Sequence, residues 1–158
     1  MEEGPFIAAD FEALRAHVDY FSLMTYDFGH HANAASSSPL TWFEGSHVAL
    51  SRSPEHLSQI LGGINLYGND FHLSRNAGGP IVGHEILKLL ATKKPKITWN
   101  TEAMEHNFHY SQDGVDHIVW FPTLNYLHHR IHSATHNLNS GLSFWELGQG
   151  MDYFYDLL

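Results

Sequence analysis

Between residues 19 and 28 the chain reads DYFSLMTYDF, with apolar positions on both faces at once. Period-two alternation puts Ser22, Met24 and Tyr26 on one side and Phe21, Leu23 and Thr25 on the other, the signature of a strand covered twice. The stretch predicts a buried strand whose C-terminal tip carries a hydroxyl and a carboxylate, Tyr26 and Asp27. Two further segments are built in the same style, QILGGINLYG at 59–68 and GLSFWELG at 141–148, with Tyr67 and Trp145 near their ends. Gly62 and Gly63 permit close backbone approach in the first of these.

Helical periodicity separates the strands. Asp10 is expected to cap a short helix through FEALRAH. IVGHEILKLLATK reads as a helix, and so does TLNYLHHRIHSATHNL, whose apolar stripe is Leu124, Leu127, Ile131, Ala134 and Leu138. MDYFYDLL predicts a terminal helix. Residues 29–53 are polar and small enough to predict one long loop, and a Gly- and Asn-rich loop precedes residue 81. KITWN and EHNFHYSQDGVDHIVWF predict a strand and a β-hairpin turning at Asp113 and Gly114, an inserted β-region over residues 95–122. The strand and helix order implies an α/β fold with parallel pairing and right-handed crossovers. Three such strands are too few to close a barrel.

Composition narrows the class. The chain has 158 residues, 43% of them hydrophobic, which suits one globular domain over 1–158 with a sizeable core. No apolar run reaches membrane-spanning length, and the acidic start MEEGPFIAAD lacks a signal peptide's basic and apolar regions. The absence of Cys excludes disulfides and thiolate metal sites. With 8 Lys+Arg against 17 Asp+Glu the formal charge is −9, which argues against a nucleic-acid partner. Protonation of the 14 His in acid could reverse that sign.

Aromatic residues at three converging strand ends, with a few fixed polar groups, suit a ligand with one apolar face and a polar edge. Sugar rings are the commonest such ligand. YFSLMTYDF resembles the sixth barrel strand of the chitinase-like glycoside hydrolases of family 18, with its pattern Met, any residue, Tyr, Asp. ILGGINLYG resembles their seventh strand and GLSFWELGQGMDYF their eighth. EHNFHY, HIVWF and the ending WELGQGMDYFYDLL look more closely like the chitinase domain-containing subgroup, the stabilin-interacting chitinase-like proteins.

The resemblance implies the C-terminal part of a (β/α)8 TIM barrel, strands six to eight with an inserted β-hairpin region, in a fold that usually takes about 250 residues. On that basis the chain reads as a truncated isoform, a fragment or a partial gene model. It also implies a saccharide partner containing N-acetylglucosamine. Tyr26 would hydrogen-bond the N-acetyl carbonyl oxygen, Asp27 would hold sugar hydroxyls or the amide, Tyr67 would line the pocket and Trp145 would form a stacking floor. Met24 and Asn65 complete the substrate-binding candidates, with Asn65 where many relatives have Pro and Asn69 where many have Arg. The family's acidic run ending in a catalytic Glu occurs nowhere in the sequence, so no catalytic residue is assigned. Binding without hydrolysis leads, ahead of a hydrolase whose acid lies upstream and ahead of a ligand-free interaction fragment. Lipopolysaccharide or a receptor as partner, and a secreted or lysosomal location, are implied by the resemblance alone.

Each candidate also has a plain structural role. Met24 would fill a core gap, Tyr26 could be a core phenol, Asp27 could cap a loop, and Trp145 could fill the barrel. Glu146, opposite Trp145 by alternation, is expected to serve a loop rather than act as an acid. His128, His132 and His136 recur at helical spacing, but no third ligand or HExxH motif accompanies them, so they read as a solvated face. His30 and His31 are weaker metal candidates still. No metal or cofactor is expected. Trp99, Trp120 and Phe121 are expected to form a small core within the inserted region.

Overall fold

A computed structural model describes residues 6–30, 33–75 and 77–157 of the chain. Chain order is α1 (Ala8–Leu14), β1 (Phe21–Leu23), α2 (Leu40–Leu50), α3 (Pro54–Leu57), β2 (Ile60–Asn65), β3 (Gly68–His72), β4 (Ala77–Ile81), α4 (Gly83–Lys93), β5 (Ile97–Asn100), β6 (Glu105–Gln112), β7 (Val115–Phe121), α5 (Leu124–His132) and β8 (Gly141–Trp145). A π-helical stretch, Ser133–Leu138, extends α5, and a 3-10 helix, Asp152–Leu157, follows β8.

Two sheets result. β1, β2 and β8 form a parallel sheet with β2 in the middle. Parallel neighbours need long crossovers. The one between β1 and β2 contains α2, within a segment expected to be loop. Ser, Gly and His disguise the helix in sequence, but Phe43, His47 and Leu50 fall on one face and are buried. The strand expected over 19–28 is also shorter, ending at Leu23 with the site residues beyond it.

Gly62 and Gly63 serve opposite faces of β2. A Cβ on Gly62 would lie 2.6 Å from Phe43 Cζ, so its absence lets α2 close onto the sheet. A Cβ on Gly63 would lie 2.9 Å from Tyr26 Cε1, so the other face is open to the Tyr26 ring. On that face Ser22 and Ser143 meet across β2, their hydroxyl oxygens 3.1 Å apart.

The strand and hairpin expected over 95–122 form part of a wider sheet. It begins at Gly68, directly after β2, and is five-stranded and antiparallel in the order β4, β3, β7, β6, β5, with α4 in the β4–β5 connection. The expected loop before residue 81 is the β3–β4 hairpin. Gly78, Gly79 and Pro80 hide its strand pattern, and β4 tolerates Pro80 because it is an edge strand. The β6–β7 turn falls at Asp113 and Gly114, both at positive φ (53° and 75°), which matches a type I′ hairpin.

One core joins the two sheets. Phe43, Ile64, Leu66, Ile86, Phe108, Val119, Phe121, Tyr126, Leu127 and Phe154 belong to a single buried cluster. The inserted sheet is therefore packed onto the parallel one. Phe121 belongs to this common core and Trp120 to a smaller cluster with Phe71, Ala103 and Ile118, while Trp99 stacks on His129. The stripe of α5 is as expected at Leu127, Ala134 and Leu138, but Leu124 is exposed. Helix α1 starts at Ala8, ahead of the expected cap. Asp10 sits inside it and accepts the Ile7 N–H at 3.0 Å. Leu158 and His31 lie outside the described residues, and among those described no helix is long and apolar enough to cross a membrane.

Candidate saccharide site

Tyr26 and Asp27 lie just past β1, where no ladder hydrogen bonds fix the chain. Thr25 anchors the segment by donating its hydroxyl to the Gly63 carbonyl at 2.8 Å. Asp27 has φ of 64°, in the left-handed region that Asp tolerates better than most residues. Its N–H donates to Ser37 Oγ at 3.1 Å, and its Oδ1 accepts the Tyr67 hydroxyl at 2.5 Å. The Tyr26 and Tyr67 rings meet edge-on with centroids 6.4 Å apart.

Tyr67, in the turn between β2 and β3, is buried. Desolvation, then the hydrogen bond and charge of Asp27, push its hydroxyl far above the ordinary tyrosine value. Burial, then the Asp27 charge, raises Tyr26 as well. Both phenols are therefore proton donors at neutral pH.

Trp145 ends β8 in register with Asn65 of β2 and keeps 51% of its surface exposed. The Trp145–Glu146 peptide is cis. Glu146 accepts from Gln149 Nε2 at 2.8 Å, a loop contact of the kind expected for it. A cavity of about 400 Å³ is bounded by Asp27, Gly29, His30, Tyr67, Asn69, Phe71, Gly79, Pro80, Trp145 and Gln149. Asp27, Tyr67 and Trp145 thus share one hollow, whereas Tyr26 is not among its lining residues and meets the Tyr67 ring.

Two candidates are placed differently. Asn65 is fully buried and its amide is spent inside the protein: Nδ2 donates to the Tyr67 carbonyl at 2.7 Å and Oδ1 accepts the Tyr126 hydroxyl at 2.5 Å. It shapes the Tyr67 turn instead of facing the cavity. Met24 is neither core nor wall. It is 73% exposed beside β1, which is an edge strand of the described sheet.

Sequence reasoning missed the wall supplied by the inserted hairpin, namely Phe71, Gly79 and Pro80. Phe71, the one apolar side chain in GNDFH, was its one signal. The His128, His132 and His136 rings line up along α5 and its extension, with centroids 6.3 and 4.6 Å apart. Among the described residues no group of three His, Cys, Asp or Glu could hold a metal ion.

Parallel strands ending in aromatics over a hollow, with an antiparallel sheet following the second strand, define a mixed α/β architecture. The model of the Glycosyl hydrolases family 18 matches residues 2–150, and the chain belongs to that family. A cortical fragment-lytic enzyme of Bacillus anthracis is 28% identical over 155 residues, covering 93% of this chain and 36% of the relative. The fold is shared with the spore cortex-lytic enzyme of Bacillus cereus, at a TM-score of 0.81 and 22% identity over 94% of this chain and 36% of that one. A chitinase from Chromobacterium violaceum gives 0.76 and 23% over 93% and 46%. The chain therefore spans about a third of the length of the enzymes named as cortex- or cortical fragment-lytic.

Proposed function

We propose that the cavity binds a saccharide carrying N-acetylated sugar rings, with Trp145 as the stacking floor and Asp27 and Tyr67 as the polar edge. The observation that carries this reading is the paired Asp27 carboxylate and Tyr67 hydroxyl in the same hollow as a half-exposed indole. A pyranose presents one apolar face to such a ring, while its hydroxyls need both donors and acceptors at the rim. Tyr26, protonated and beside Tyr67, supplies the donor expected for an acetamido oxygen. The three parallel strands act as strands six to eight of a (β/α)8 barrel in this reading.

Binding without bond cleavage is the activity proposed for these 158 residues. Among the described residues Asp27 is the only carboxylate lining the cavity, and cleavage of a glycosidic bond calls for a general acid as well. Titration calorimetry with chitotetraose, alongside a reducing-end assay, tests it. Heat of binding with no new reducing ends supports the reading; no heat overturns it.

A second reading, for a longer protein, is glycoside hydrolysis with the acid contributed by other strands. It is favoured by the lytic enzymes among the relatives, of which this chain spans 36%. An amino-sugar polymer such as chitin or spore cortex is the substrate class in that case. The finer likeness to the stabilin-interacting subgroup rests on β6, β7 and the segment after β8. A lipopolysaccharide or receptor partner and a secreted or lysosomal location rest on it alone, whereas the relatives named above are bacterial.

A further inference from the structure

We propose that Tyr126 and Arg130, buried residues of α5 outside the cavity, are positioning residues for the Asp27–Tyr67 pair. The inference rests on reading the cavity as a saccharide site, and its geometric part stands apart from that reading.

The pair is held by a closed circuit of hydrogen bonds. The Asp27 N–H donates to Ser37 Oγ at 3.1 Å and the Phe28 N–H to the Ser37 carbonyl at 2.8 Å. The neighbouring Ser38 carbonyl accepts from Arg130 Nη2. Arg130 Nη1 donates to the Tyr126 carbonyl at 3.1 Å, and the guanidinium lies 3.5 Å from the Tyr126 ring centroid. The Tyr126 hydroxyl donates to Asn65 Oδ1, Asn65 Nδ2 donates to the Tyr67 carbonyl, and the Tyr67 hydroxyl returns to Asp27 Oδ1. Ser37, Ser38, Asn65, Tyr126 and Arg130 are all fully buried.

Such an arrangement has a reason at this place. Residue 27 lies four positions beyond the end of β1 and at positive φ, so neither a ladder nor a helix fixes it. Water is excluded from the middle of the circuit, which strengthens each bond and makes a broken one costly. Arg130 also donates to the Ala103 and Met104 carbonyls at 3.1 and 2.9 Å, tying the circuit to the inserted sheet. A lysine could not reach four carbonyls from one planar fork. A second tie runs from Ser36 Oγ to Glu105 Oε2 at 2.5 Å.

The test is Tyr126→Phe in the full chain, which removes one hydroxyl from the circuit and keeps the ring. Two quantities are read: the hydroxyl proton of Tyr67 by NMR, assigned by its loss in Tyr67→Phe, and affinity for chitotetraose. Ile86→Val, in the core but off the circuit, is the control for general destabilisation. The expected result is a shifted or fast-exchanging Tyr67 hydroxyl and about fivefold weaker binding in Tyr126→Phe, with neither in Ile86→Val. Arg130→Lys, where it folds, moves both in the same direction. An unchanged Tyr67 hydroxyl in Tyr126→Phe, or an equal change in Ile86→Val, overturns the proposal. If the wild-type chain fails to bind chitotetraose while the Tyr67 signal still responds to Tyr126→Phe alone, positioning stands and the saccharide reading falls.

Discussion

The Tyr67 hydroxyl donates to Asp27 Oδ1 at 2.5 Å, joining a turn after one parallel strand to the tip of its neighbour. Burial first, and then the hydrogen bond and charge of Asp27, keeps the phenol protonated, and the phenol in turn satisfies one carboxylate oxygen. Asp27→Ala leaves that hydroxyl without its acceptor. The expected outcome is a chitotetraose affinity lower by about tenfold, with a melting temperature reduced by a few degrees. Calorimetry and thermal melts check the two effects.

Trp145→Ala removes a half-exposed ring from the end of β8 without cutting into the common core. Affinity for chitotetraose should fall by about 1 kcal/mol, roughly fivefold, while the fold persists. Unchanged binding in a folded variant would take Trp145 out of the site.

Gly62 and Gly63 should respond differently to alanine. Gly62→Ala drives a methyl into Phe43 and His47 of α2, and Gly63→Ala into the Leu23 carbonyl and the Tyr26 ring. Both should cost about 1–3 kcal/mol in denaturant unfolding. Only Gly63→Ala should also weaken saccharide binding, because only that methyl displaces Tyr26.

The parallel strands were legible in the sequence because their apolar runs end in aromatic tips, and Tyr67 and Trp145 were found on that signal. Helix α2 was hidden, since its buried face includes His47, a residue that pattern reading counts as polar. The β3–β4 hairpin was hidden by glycines and by Pro80, which an edge strand accepts. Asn65 is a substrate-binding candidate on the family resemblance alone, and the sequence does not show that both ends of its amide are spent inside the protein. The burial of Arg130 has no signal in the sequence. A charge within a histidine-rich helix looks solvated, and burial by four carbonyls leaves no mark in periodicity.

His47 gives a pH dependence of known sign. Burial lowers its pKa below the ordinary histidine value, while its hydrogen bond to the Phe43 carbonyl and the Glu44 charge oppose the shift. The unfolded chain therefore takes up the proton first, and stability falls as pH drops below about 6.5. Glu105 acts in the opposite sense: burial raises its pKa, and its share of stability is lost as pH rises above about 4.5. Comparison of variants separates the two. The loss of melting temperature between pH 7 and 5.5 should be smaller in His47→Gln than in the wild type, and thermal melts across that range measure it.

Both β1 and β8 present unpaired outer edges among the described residues. Open edges invite pairing between chains. Sedimentation of the isolated 158-residue chain should show concentration-dependent self-association, and a monomer at every concentration would contradict this.

One hollow between Asp27, Tyr67 and Trp145 is proposed to hold the sugar. Titration of the labelled chain with chitotetraose, followed by amide and indole NMR shifts, tests it most directly. Saturable shifts are expected at the Trp145 indole N–H and at the Asp27 and Gly29 amides. Shifts confined to other surfaces, or none at saturating sugar, would contradict it.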